Sequence, residues 1–97
     1  MAIIQQLGAT QVVTTTNGNS TQSNALVIGA AETVRVSSSE NCHITFTALN
    51  SGTAAATNLL LTTNTLHFFS VPNGFFLNVI RIGSSNTAVS VTSVDLR

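Results

Sequence analysis

The chain has 97 residues, the length of one domain. Only 6% of them are Asp, Glu, Lys or Arg, against about 25% in an ordinary domain; lysine is absent, and three acidic groups offset three arginines. Three scattered arginines cannot neutralise a run of phosphates, which excludes a nucleic-acid partner. No window approaches about 20 consecutive apolar residues, which excludes a membrane-spanning helix.

In chain order, nine ranges read as short strands, about eight of them real: 3–7, 10–16, 24–28, 32–37, 42–48, 58–62, 65–71, 75–82 and 87–95. Ala2–Leu7 is apolar and strand-prone. Its Ile3, Ile4 and Leu7, within a possible N-terminal arm over residues 1–9, are candidates for pairing with a sheet edge of another subunit. Val12-Val13-Thr14-Thr15-Thr16 leads into Asn17-Gly18, a hairpin cue because both residues tolerate positive φ. The polar stretch Thr14–Asn24 reads either as a mobile hairpin tip or as an arm that orders against a neighbouring subunit.

Glu32–Ser37 alternates, with Val34 and Val36 on one face and Thr33 and Arg35 on the other. After a loop at Ser37–Asn41, Cys42, Ile44, Phe46 and Ala48 are expected to face the core, with His43, Thr45 and Thr47 outside. Asn50–Thr53 reads as a loop. Ala54-Ala55-Ala56 is too short for a stable helix and suits a single turn or an extended loop.

Pro72-Asn73-Gly74 joins Leu66–Val71 to Phe75–Ile82 as a hairpin, and Gly83–Asn86 joins that strand to the last. In the last strand Val89 and Val91 alternate with Ser90 and Thr92. The Phe68-Phe69 and Phe75-Phe76 pairs flank the Pro72 turn, so one member of each points inward and one outward. Phe69 and Phe76 are the candidates for an apolar contact patch, against the alternative that both sheet faces are partly buried within one chain. Short strands at this spacing predict an all-β fold: a single antiparallel β-sandwich or small barrel over residues 1–97.

The residue types of catalysis are sparse. Cys42 and His43 are adjacent on a strand and point to opposite faces, so they form no nucleophile–base pair. With His67 they fall short of a metal ligand set, and no cofactor is expected. Glu32, Glu40 and Asp95 are dispersed, and no nucleophile elbow or phosphate-cradling loop is present, so the chain is not expected to be an enzyme. Arg81, between apolar neighbours, is expected to pair with Glu32, Glu40 or Asp95 within the chain or across an interface; the alternative is a solvent-facing Arg that blunts edge pairing.

The chain's polarity comes from Thr, Ser and Asn, which can meet a neighbouring surface without desolvating ions. That is the composition of a surface to be covered by other protein copies. A mass of 10.1 kDa implies roughly 5,000 Å² of folded surface, and a contact burying about 800 Å² per partner takes a large share of it. The start of the chain lacks the features of a signal peptide, so synthesis and assembly in a cytoplasm are expected. The single cysteine forms no internal disulfide, and the sequon at Asn19-Ser20-Thr21 is expected to stay unused.

Residues 31–95 carry a recurring order. Strands at Val34–Val36 and Cys42–Ala48 are followed by a small-residue loop, then Leu66-His67-Phe68-Phe69-Ser70-Val71-Pro72-Asn73-Gly74-Phe75-Phe76-Leu77-Asn78-Val79-Ile80, then Ala88–Val94. In pattern and composition this resembles the small β-sandwich virion proteins of tailed bacteriophages, which include capsid decoration (cement) proteins and short tail or neck accessories. The resemblance implies a jelly-roll-like sandwich, a homotrimer seated on the major capsid protein or other virion proteins, and a place in the virion. No site residue carries over, since the family offers no site motif. The alternative function is a tail, neck or fibre accessory that binds a receptor or glycan, against which the absence of Trp and Tyr counts.

Overall fold

The computed structural model describes residues 4–6, 10–16, 18–23, 26, 33–48, 50, 52–55, 57–63 and 65–96, with residues 4–6, 95 and 96 described by their backbone. Among the described residues nine strands follow in chain order: β1 (Ile4–Gln6), β2 (Gln11–Thr15), β3 (Thr21–Gln22), β4 (Thr33–Ser38), β5 (Cys42–Thr47), β6 (Leu59–Leu61), β7 (His67–Ser70), β8 (Phe76–Arg81) and β9 (Thr87–Leu96). No helix occurs among the described residues.

The strands form two antiparallel sheets. In the first the order is β1-β9-β4-β7, and β2 also pairs with β9; in the second it is β3-β8-β5-β6. β1 pairs with β9 at Val94–Leu96 and β2 at Thr87–Val91, on the flank opposite β4, so β1 and β2 lie end to end and five strands fill four columns. The pairs β2–β9, β3–β8, β4–β7 and β5–β6 are those of one long hairpin rolled across two sheets. That is the jelly roll, an architecture of eight strands in two packed sheets.

Only β5 and β6 are neighbours in both sequence and pairing. The turn at Gly18 therefore links two sheets rather than closing a hairpin, because β2 pairs with β9 and β3 with β8. The turn at Pro72 does the same between β7 and β8, also against the hairpin expected there. Gly74 holds φ at +88°, a conformation that suits glycine, and its N–H donates to the Leu26 carbonyl at 2.9 Å. Leu26 in turn is buried, and its N–H donates to Phe75.

β3 lies inside the polar stretch read as a hairpin tip or an arm; of the strand expected at 24–28 only Leu26 is described, and it belongs to no strand. The described residues of that stretch are built into the sandwich: Thr15 and Ser23 are buried, and Ser23 exchanges hydrogen bonds with Leu77 at 2.8 and 3.0 Å. Asn17, Asn24 and the rest of that predicted strand except Leu26 lie outside the described residues. Ala54 and Ala55 are extended loop.

The core is largely valine, supplied by the alternation that period-two strands impose. Val34 and Val36 on β4, Cys42 and Ile44 on β5, Leu77 and Val79 on β8, and Val89 and Val91 on β9 face each other between the sheets. Phe46, Phe69 and Phe75 pack against them. Ala48, expected inside, is exposed, because the strand ends at Thr47.

The outer face of the second sheet carries a buried polar row. Asn78 is fully buried although it points away from Leu77 and Val79. Its side chain accepts from Gln22 Nε2 at 2.7 Å and donates to Thr47 Oγ1 at 2.9 Å. The loop after β5 lies against this row: Gln22 also reaches the Gly52 carbonyl, and Ala54 N–H donates to Ser20 Oγ. A Cβ at Gly52 would collide with the Thr47 side chain, so only glycine permits this approach.

Candidate interaction surface

β7 ends the first sheet and β6 ends the second. Among the described residues each has a strand on one flank only, β4 beside β7 and β5 beside β6. Contacts between β2 and β3 hold the far ends of the two sheets together, so β6 and β7 lie along the same side of the sandwich.

This rim collects four of the large apolar side chains left in water. Leu59, Leu60, Leu66 and Phe68 are 53%, 48%, 54% and 38% exposed. Phe68 and Leu66 precede burial partners in the alternation rather than joining them: Phe69, one residue on, turns inward and meets Phe46 with ring centroids 5.5 Å apart. Leu61 likewise is buried opposite Cys42, while Leu60, opposite His43, is exposed.

The turn between β6 and β7 is tied down by hydroxyls. Thr65 Oγ1 lies 2.9 Å from Thr62 Oγ1 and donates to the Thr62 carbonyl at 2.8 Å. Thr63 N–H donates to Asn41 Oδ1 at 2.7 Å, and its hydroxyl reaches the Ser39 carbonyl. The rim is thus held in place before any partner arrives, which lowers the entropy cost of binding.

Charge avoids the rim. No Asp, Glu, Lys or Arg occurs between Glu40 and Arg81, a span that holds β5, β6 and β7 entire. Edge strands in natural proteins are commonly blunted by lysine, proline or inward charge, and none stands in β6 or β7.

A second feature lies on the outer face of the first sheet. Thr10, Arg35, Ser37, Ser90 and Thr92 line a half-open polar hollow of about 200 Å³. Thr10 and Thr92 hydroxyls meet at 2.6 Å across it. Arg35 is exposed, and Phe68 lies directly opposite it on β7.

The residues singled out in the sequence fall in different places. Ile4 sits on β1, which pairs with β9 of its own chain, so this part of the N-terminus is a strand in place and not an arm reaching a neighbour; Ile3 and Leu7 lie outside the described residues. Phe69, expected at the contact patch, is the inward member of its pair, and Phe68 holds the outward place. Phe76 is half-buried on the face opposite Leu77. Arg81 finds no carboxylate among the described residues. Its Nη1 donates to the Ser84 carbonyl and to Asn86 Oδ1, both at 3.2 Å, so it braces the turn into β9.

The candidate chemical groups stay apart. His43 on β5 faces Asn58, with Nδ1 3.0 Å from its carbonyl, while His67 on β7 pairs its Nε2 with Thr65 Oγ1 at 2.6 Å and stacks on Phe69. Burial pushes the Cys42 thiol above its ordinary pKa, and a hydrogen bond from Ser38 opposes that only in part. Among the described residues no group of three His, Cys, Asp or Glu side chains could hold a metal ion.

The apolar rim was missed in the sequence because exposure at a sheet edge has no local signature. The one available signal was the unbroken Leu59-Leu60-Leu61 run inside a charge-free span of forty residues. Comparison with protein-family models, with curated proteins and with solved structures finds no match to this chain.

Proposed function

We propose that this protein is a bacteriophage virion structural subunit, a capsid decoration protein that stabilises the head by bridging major capsid subunits. The observation that carries the reading is the uncharged, apolar rim of β6 and β7 on a chain whose whole surface is nearly free of ions. Exposed apolar surface of this kind marks a protein-contact site. A jelly roll is a fold used for viral coats, though also for lectins and cupins, so the fold permits the role without assigning it.

The mechanism is mechanical. Lattice joints rest on many weak contacts, and a homotrimer, the state the resemblance implies, adds multivalent grip without chemistry. Virus particles purified from cells that produce this protein are expected to contain it in fixed stoichiometry by intact-mass measurement, and to lose heat resistance when it is deleted. Particles that lack the chain, or whose stability ignores its deletion, overturn the reading.

The polar hollow favours a second reading, a tail, neck or fibre accessory that binds a glycan. Arg35, four surrounding hydroxyls and the neighbouring Phe68 offer hydrogen bonds and one aromatic face to a sugar. A glycan array with wild type and Arg35→Ala separates the two: signal lost in the variant supports this reading, and no signal from either removes it.

A further inference from the structure

We infer that β7 is a self-pairing edge. β7 of one copy aligns antiparallel with β7 of a second copy about a two-fold axis through Phe68, and the two first sheets become one continuous sheet. The inference uses the same rim that carries the virion reading and gives it a second copy as occupant; its test needs no particle, and the trimer of the resemblance is compatible with it only where two trimers pair through β7 into six copies.

The backbone of β7 supplies the first reason. Among the described residues its outer flank has no strand beside it, and an open edge of N–H and C=O groups is a template for another strand. From Thr65 to Val71 no charge and no proline guards it; Pro72 follows only after the strand has ended.

Register gives the second reason. Directly opposed residues in an antiparallel pair share a face, so the axis through Phe68 sets Phe68 against Phe68 and Leu66 against Ser70 of the other copy. All of these are exposed in the single chain. Opposed aromatic side chains on one face are a favourable cross-strand pair. Leu59 on β6, exposed and opposite the core residue Ile44, lies along the same rim, while Leu60, opposite His43, faces the outside of the second sheet.

Charge identifies the occupant as a second copy. A charged edge laid on this rim would be desolvated with no counter-ion to meet it, which disfavours it, whereas a second copy brings an edge without charge. An antiparallel edge pair is self-complementary, which is the requirement of a two-fold contact. The nearest described cation, Arg35, lies one strand inside β7 opposite Phe68. Across the joint the two Arg35 side chains stand three strand spacings apart, about 14 Å, beyond the screening length of about 8 Å at physiological salt. Nothing in the described charge distribution opposes the contact.

Native mass measurement with light scattering, over roughly 1 µM to 1 mM chain, tests the inference. The expected species has an even number of copies, the smallest at about 20 kDa, twice the 10.1 kDa chain. Phe68→Lys and Leu66→Lys, each placing a cation against the joint, are expected to raise the dimer dissociation constant at least about tenfold. Val12→Lys, at a residue 59% exposed on the opposite rim, is expected to leave it unchanged. Circular dichroism confirms that each variant folds; Leu66 precedes the strand, so Leu66→Lys decides if Phe68→Lys does not fold. A monomer at every concentration, odd-numbered species alone, or a dimer that survives Leu66→Lys overturns the inference.

Discussion

Asn78 shows how a single residue can be both polar and indispensable. It is fully buried on the outward side of β8, and it is tolerated there because Gln22 donates to it while Thr47 accepts from it. Asn78→Ala removes both hydrogen bonds from a fully buried site, a loss of about 1–3 kcal/mol. Since each kcal/mol moves a domain of this size by roughly 4–8 °C, a melting temperature lowered by about 4–24 °C is expected in a thermal scan. Cys42 carries a pH signature. Its thiol titrates higher in the folded chain than its ordinary 9.0 because burial disfavours the thiolate. The unfolded chain therefore gives up that proton first as pH rises. The stability linked to this group is complete below about pH 9 and falls above it, through the folded-state pKa. Melting temperatures of wild type and Cys42→Ala across alkaline pH check this: the wild type is expected to show the extra decline and the variant to lack it.

At the level of elements, the turns carry the information that strands do not. Arg81 was expected to pair with Glu32, Glu40 or Asp95; the side chains of Glu32 and Asp95 lie outside the described residues, among which Arg81 braces Ser84 and Asn86 and its Nε is buried with no partner. Removing it loosens the entry to β9, the strand on which β1, β2 and β4 all depend. Two hydrogen bonds at a partly open site are worth about 1–2 kcal/mol together. Arg81→Ala is accordingly expected to lower the melting temperature while leaving the association state unchanged by light scattering. An association lost with the fold intact would return Arg81 to the interface. The alternating strands were legible because a buried face repeats every second residue: Val34 and Val36, Ile44, and Val89 and Val91 all stand where the pattern put them. Phe69 was misassigned because alternation says that one of two neighbours points inward without saying which; the pairing of Phe69 with Val34, a core residue, decides it.

The molecule as a whole is held by contacts between residues far apart in sequence. β9 joins the first sheet's two halves, with β1 and β2 on one flank and β4 on the other. A chain that stops at Asn86 leaves β1 and β2 with no strand to pair with and uncovers Val13, Val34 and Val36. It is expected to show no cooperative thermal transition by circular dichroism, whereas the complete chain shows one. The same topology predicts slow folding, in milliseconds to seconds, since distant pairings must close before they stabilise anything.

Composition and alternation by themselves determined that this chain is all-β, that Val34 and Val36 share one face and Cys42 and Ile44 point inward, and that its surface is almost without ions. Those properties follow from which side chains the chain has and from a two-residue period, both of them local. Which strands share a sheet, that the turns at Gly18 and Pro72 cross between sheets, that Asn78 is buried outside the main core, and that Leu59, Leu60, Leu66 and Phe68 gather on one open rim were decided only in three dimensions. The reason is that partner choice and edge position depend on hydrogen bonds closed across dozens of residues, and no nearby residue records them.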